Sequence, residues 1–103
     1  MLIIAGTFKI DSEIRDNFLN DAEEMILLSR KEEGCLSYSF MKDLYQDSII
    51  RVYELWESQE NIKNHIASAH SLHWNQNVLT GYSCEIDIKK YNISKVGEIE
   101  DWE

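Results

Sequence analysis

The stretch Ile49-Ile50-Arg51-Val52-Tyr53-Glu54-Leu55-Trp56-Glu57-Ser58 decides the fold. Its β-branched and aromatic residues make a strand that ends at Trp56, and Ser58 then supplies the side-chain oxygen that starts a helix. Period-2 orientation sends Glu54 and Trp56 to the same side of that strand. The helical region after it holds all three histidines, His65, His70 and His73, together with Trp74. A strand handing a tryptophan to a capped helix that carries imidazoles can build a pocket with an apolar wall and a titratable edge.

Upstream, Leu36, Tyr38 and Phe40 alternate with Ser37, Ser39 and Met41 as another strand, and the polar turn from Lys42 to Ser48 joins the two as a hairpin. Leu2 to Lys9 is apolar and β-branched without strict alternation, which predicts a central strand covered on both faces. Asp11-Ser12 provides a helix cap with Glu13 and Asp16 in the first turn. Ile14, Phe18, Ala22, Met25 and Ile26 then recur at steps of three and four, giving an amphipathic helix that Gly34 stops with a positive φ.

Downstream, Ile62, His65 and Ile66 form a short apolar-leaning face before the small residues Ala67-Ser68-Ala69. Helix resumes from His70 to Leu79, with Leu72, Val78 and Leu79 available for packing, and ends at Gly81. Tyr82, Cys84, Ile86 and Ile88 alternate with polar residues as a last main strand, and a short extra strand is expected around Ile93 to Val96. The order strand, helix, strand, strand, helix, strand is the split βαβ pattern of a ferredoxin-like α+β sandwich: a four-stranded antiparallel sheet with its helices on one face. The other face then pairs with a second copy, so a homodimer through the sheet is expected.

Composition narrows the function. With 103 residues the chain holds one core, assigned to residues 1–91, and Glu98, Glu100, Asp101 and Glu103 make residues 92–103 an acidic, solvated tail. A net charge of −9 without a Lys/Arg cluster excludes nucleic acid and anionic membranes as partners. Cys35 and Cys84 suggest no disulfide framework or metal pair, and the N-terminus reads as a buried strand, so a cytoplasmic location is expected. No glycine-rich phosphate loop or dinucleotide fingerprint is present, so no flavin or nicotinamide cofactor is expected.

Three histidines raise the question of a metal. On an unbroken helix His65 and His70 stand about 140° apart and diverge; His70 and His73 share a face but lack a carboxylate or thiol at ligand spacing. No metal site is expected, and Glu54 is the acidic residue that a tertiary contact would have to bring. As acid–base groups the imidazoles make more sense, since an unperturbed histidine titrates near pH ~6.5. A bend at Ala67-Ser68-Ala69 would let His65 and His70 look into one cavity walled by Trp56, Trp74 and Tyr38. A histidine beside Ile62 and Ile66 also reads as a residue that only covers the core, and Trp56 as the filler of the corner between sheet and helix.

The run Lys31-Glu32-Glu33-Gly34-Cys35, then Tyr53-Glu54-Leu55-Trp56-Glu57-Ser58, then His65-Ile66-Ala67-Ser68 with His70 and Trp74 resembles the antibiotic biosynthesis monooxygenase family. The resemblance runs from the first strand to about Tyr91. Glu33 and Ala69 stand where the family commonly has proline, and His65 and Asn75 differ from the tryptophan and histidine of the haem-degrading branch. The resemblance implies a dimeric ferredoxin-like protein whose cavity binds a flat aromatic molecule. In the quinol monooxygenase-like branch, a base deprotonates a quinol or related phenolic substrate, which then reacts with dioxygen without flavin, haem or metal. His65 and His70 would be catalytic, and Trp56, Trp74, Tyr38 and Glu54 would bind substrate. Isomerisation of a small enolisable metabolite, or ligand binding without catalysis, are the alternatives on the same fold.

Overall fold

A computed structural model describes residues 1–101. Its strands are β1 (Leu2–Ile10), β2 (Cys35–Lys42), β3 (Ile49–Trp56) and β4 (Cys84–Asn92). The helices are α1 (Arg15–Ser29), α2 (Gln59–Ile66) and α3 (Ala69–His73). The sheet is antiparallel throughout in the order β2-β3-β1-β4, so β1 is central as its composition predicts. Register places Leu2, Ile4, Gly6 and Phe8 opposite Trp56, Glu54, Val52 and Ile50. These rows face the helices. The alternate residues Ile3, Ala5, Thr7, Tyr53 and Leu55 face the open side and are half-buried.

The core lies between sheet and helices. Phe18 of α1, Ile50, Trp56 and Ile62 of α2 are fully enclosed. Burial of each such side chain is worth roughly 1.5–3 kcal/mol. The aromatic rings interlock: Phe18 sits 5.2 Å from Phe8 and 5.3 Å, edge-on, from Trp74. Edge-on and tilted contacts of this kind add to simple burial.

The helical segment after Ser68 is less regular than its sequence suggests. A single turn, α3, passes into a widened turn over Trp74–Val78, where Leu79 N–H reaches back to Trp74 O, and then into a tight turn over Leu79–Gly81. A widened turn rotates the residues beyond it relative to a regular helix. Trp74 is turned into the core while Leu72, expected to pack, stays exposed. Such turns leave no trace in a 3.6-residue pattern.

The extra strand expected around Ile93 to Val96 does not form. Ile93 N–H adds one bond to Met1 O, after which the chain leaves the sheet for a turn closed by Glu98 N–H on Asp101 Oδ2. The acidic tail assigned to residues 92–103 includes Trp102 and Glu103, which lie outside the described residues. No helix is long and apolar enough to cross a membrane among the residues described.

At Gly6 the backbone of β4 comes so close that a Cβ would stand 1.9 Å from Asp87 O. Nothing but backbone is there to yield. Gly6→Ala should therefore part β1 from β4 and cost at least about 2 kcal/mol in urea unfolding; an unchanged midpoint would show that the strands can separate freely there.

Candidate active site

Three segments meet at one end of the sheet. The turn between α1 and β2 is closed by Lys31 N–H on Leu28 O, Glu32 N–H on Ser29 O and Cys35 N–H on Glu32 O. Gly34 takes φ 80° there, and a Cβ would lie 2.1 Å from Asn61 Cγ, so the turn rests directly on the first turn of α2. Glu57 N–H fastens it by donating to Gly34 O at 2.9 Å. Asn61 is itself part of the cap: its N–H donates to Ser58 Oγ at 3.2 Å. The turn is thus fastened to the start of α2 at Gly34, and Glu32 reaches the other end of that helix, where His65 stands.

The bend between α2 and α3 forms without proline. Ser68 adopts an extended conformation, its Oγ accepting from Ser71 N–H at 3.3 Å and donating to His65 O at 2.6 Å. One serine both ends the first helix and caps the next. This break cancels the divergence of His65 and His70, whose ring centroids lie 6.0 Å apart.

Both rings converge on Glu32. Its Oε2 stands 2.5 Å from His65 Nδ1 and 3.1 Å from His70 Nε2. A carboxylate only accepts, so each of these nitrogens donates a proton to it. In the neutral ring, this contact selects the tautomer whose Nε2 carries a lone pair. Ser68 Oγ, 3.2 Å from His70 Nε2, completes the contacts of the second ring.

His65 is buried and borders a hollow of about 210 Å³ between the sheet and the helices. Phe8, Phe40, Tyr38 and Trp74 wall it with aliphatic residues such as Ile4, Val52 and Ile88, and Glu54 is its buried carboxyl. An apolar cavity of ~150 Å³ already accepts a benzene ring. The space suits a molecule of one or two rings.

The sequence-predicted residues are placed differently from one another. Tyr38, Glu54, His65 and Trp74 line the hollow together. Trp56 is fully enclosed one layer behind, its ring 4.9 Å from that of His65. His70 borders a separate hollow of about 300 Å³ between α1 and α3, with His73, Asp21 and Glu24. The two histidines therefore share a carboxylate and not a cavity. Glu32 escaped sequence reading as a site residue. The signal for it was the β2–β3 hairpin, which sets Cys35 beside Trp56 and so brings the preceding turn to the helix cap.

Glu54 is 7% exposed. Its Oε1 accepts from Trp56 Nε1 at 2.9 Å. Burial drives its carboxyl up from the ordinary 4.5 to about 7, against the pull of the Trp56 bond and with a smaller push from the Glu32 charge. Burial, then the Glu54 charge, also raises the Tyr38 phenol well above 10. Its hydroxyl donates to Met25 Sδ at 3.2 Å, so Tyr38 gives the hollow its ring and not a proton.

Glu32, His65 and His70 are also the group that could hold a metal ion among the described residues, with ligand atoms within 4.8 Å of one another. Donors bound tetrahedrally at about 2.0–2.1 Å from one ion stand well over 3 Å apart. The 2.5 Å between Nδ1 and Oε2 is a hydrogen-bond distance. As placed, the three side chains satisfy one another directly.

The family model of the antibiotic biosynthesis monooxygenases matches residues 1–77, and the chain belongs to that family. It is 27% identical over 70 residues to the Bacillus subtilis protein named "Putative monooxygenase YcnE", covering 68% of this chain and 74% of that one. An uncharacterised Synechocystis protein is 30% identical over 64 residues, which is 62% of this chain; the match spans only 44% of that relative's length. A Deinococcus radiodurans crystal structure superposes with a TM-score of 0.86 at 22% identity, over 98% of this chain and all of that one. A Methanosarcina mazei structure gives 0.79 at 23%, over 87% and 89% of the two chains. At these identities the structural likeness speaks for the fold.

The raised Glu54 carboxyl sets a pH dependence. Below about 4.5 both folded and unfolded states hold its proton; between 4.5 and about 7 only the folded state does, so stability falls as pH rises through that window. Glu54→Gln removes this loss. Against wild type, the variant should gain up to roughly 3 kcal/mol across the window, at ~1.4 kcal/mol per pH unit, in chemical denaturation. A difference that stays constant with pH would show that Glu54 titrates normally.

Proposed function

We propose that the aromatic hollow binds a quinol or related phenolic molecule, and that His65 deprotonates it so that the anion reacts with dioxygen. The carrying observation is a buried histidine, His65, that lines an aromatic hollow while Glu32 engages its Nδ1, the contact that leaves Nε2 of the neutral ring free to accept a proton. A carboxylate behind an imidazole fixes its tautomer and stabilises the imidazolium that proton abstraction creates. Family membership and the monooxygenase name of the Bacillus relative support the reaction class.

No external reductant is needed. A quinol plus O2 has the same atoms and electrons as a hydroxyquinone plus water: one oxygen enters the ring, the other leaves as water, and the substrate supplies all four electrons. The protein's part is to orient the ring, exclude water and move protons. Flavin, haem and metal have no step to perform in this scheme.

His65 is the base, and Tyr38 and Trp74 are aromatic walls. Trp56 acts on the substrate only through Glu54. His70 shares the Glu32 carboxylate from the far side and steadies it. An isomerase is the second reading, favoured by one observation: Glu54 and His65 give a single hollow two proton-transfer groups. Deuterium from solvent entering a ligand without oxygen uptake would mark that activity.

The open sheet face, with Ile3, Ala5, Tyr53 and Leu55 at its centre, pairs with a second copy in this reading. The free thiols of Cys35 and Cys84 fit a reducing cytoplasm. Light scattering should give twice 12.1 kDa, and Leu55→Glu should halve it; a monomeric wild type would remove the dimer.

In flavin-free buffer with a chelator, a reduced naphthoquinone should drive oxygen uptake above its spontaneous rate. His65→Ala should lower that uptake at least about tenfold. No enzymatic uptake across a panel of quinols would eliminate the oxygenase reading.

A further inference from the structure

We propose that Glu54 is a second catalytic residue, the general acid that gives its proton to the oxygen leaving as water. The inference rests on the oxygenase reading and goes beyond binding at this position. Three observations carry it. Glu54 lines the same hollow as His65. Among the described residues Trp56 is the hydrogen-bond partner of Glu54, through Oε1, so the second carboxyl oxygen is left available to carry and give a proton. The indole fixes that carboxyl from behind, and Trp56 itself stands at the end of a rigid strand.

The chemistry needs such a group. His65 takes the phenolic proton and passes it to the oxygen adduct, leaving a ring carbon that bears both hydrogen and –OOH. In the next step His65 takes the ring proton, the C–H pair becomes the second bond of C=O, and the O–O bond breaks. Hydroxide departs and picks up the Glu54 proton to become water. One imidazole cannot accept the ring proton and protonate the leaving oxygen in the same step. The proton on His65 then returns to Glu54 through solvent on product release, so neither group is consumed.

The surroundings keep this carboxyl protonated where a surface glutamate is ionised. Tyr38 pairs with Glu54 across β2 and β3 and stays neutral, as does the Cys35 thiol. Glu32 adds negative charge from the turn. Lys90, in the same cross-sheet row through Ile4, is occupied by Gln59 Oε1 at 2.8 Å. His65 is the remaining titratable group on the hollow. A carboxyl pushed to about 7 is matched to proton donation near neutral pH.

The test is the pH profile of quinol-dependent oxygen uptake in wild type, Glu54→Gln and Glu54→Asp. Glutamine keeps the shape and can still accept from Trp56, and bound naphthoquinone quenching tryptophan fluorescence verifies an intact pocket. Because the protonated form works, wild-type kcat should fall as pH rises through about 7. Glu54→Gln should lose at least about tenfold in kcat with KM nearly unchanged, and lose that alkaline fall; aspartate should restore part of the rate and the fall with it. A glutamine variant with wild-type kcat, or one changed only in KM, overturns the role while His65→Ala still inactivates. Absence of uptake in wild type itself strikes the oxygenase reading, and this step falls with it.

Discussion

Everything at the active end of the molecule is organised by one oxygen atom, Glu32 Oε2, accepting from two imidazoles. It ties the turn after α1 to the junction of α2 and α3, segments that the sheet alone would leave free to shift. Charge-assisted bonds of this kind are short and directional, and burial strengthens them. The cost is a carboxylate partly removed from water, offset by its two donors. Gly34 and Ser68 serve this contact: the first lets the turn lie on Asn61, the second breaks the helix so that both rings can reach the same acceptor.

A second buried carboxyl makes the hollow chemically asymmetric. Glu32 meets donors and is held as an acceptor, whereas Glu54 accepts one indole N–H in a hollow walled mostly by apolar and aromatic side chains. Two carboxyls in one small domain thus receive opposite assignments from their surroundings, one to hold two imidazoles and one to retain a proton. The strand fixes the Glu54 side of this contrast, because Glu54 and Trp56 share an orientation and their side chains meet.

The fold was legible because its signals are local. Ser58 caps α2 as its chemistry dictates, and period-2 alternation in β2 and β3 sets the hairpin; Asp11 instead caps a short turn at Ser12–Ile14 ahead of α1, and α1 ends at Ser29 before Gly34, whose positive φ shapes the turn into β2. Irregularities were not legible: the widened turn at Trp74 and the early departure of the chain after Ile93 depend on tertiary packing that no periodicity encodes. At the site, the residue types around His65 could be read from the chain but not their depth. Trp56 lies behind the cavity and His70 beyond it, because a bend whose angle is set by Ser68 decides which ring faces where. Glu32 was hidden for a different reason: it looked like a turn residue, and only the docking of that turn on the cap of α2 makes it a partner for histidine.

The tautomer of His65 is what Glu32 sets, and ¹⁵N NMR of histidine-labelled protein reads it directly. The expected ring-nitrogen pattern has Nδ1 protonated and Nε2 bare for His65, with loss of that fixed pattern in Glu32→Ala. A His65 protonated on Nε2, or one averaging between tautomers in the wild-type protein, would contradict it.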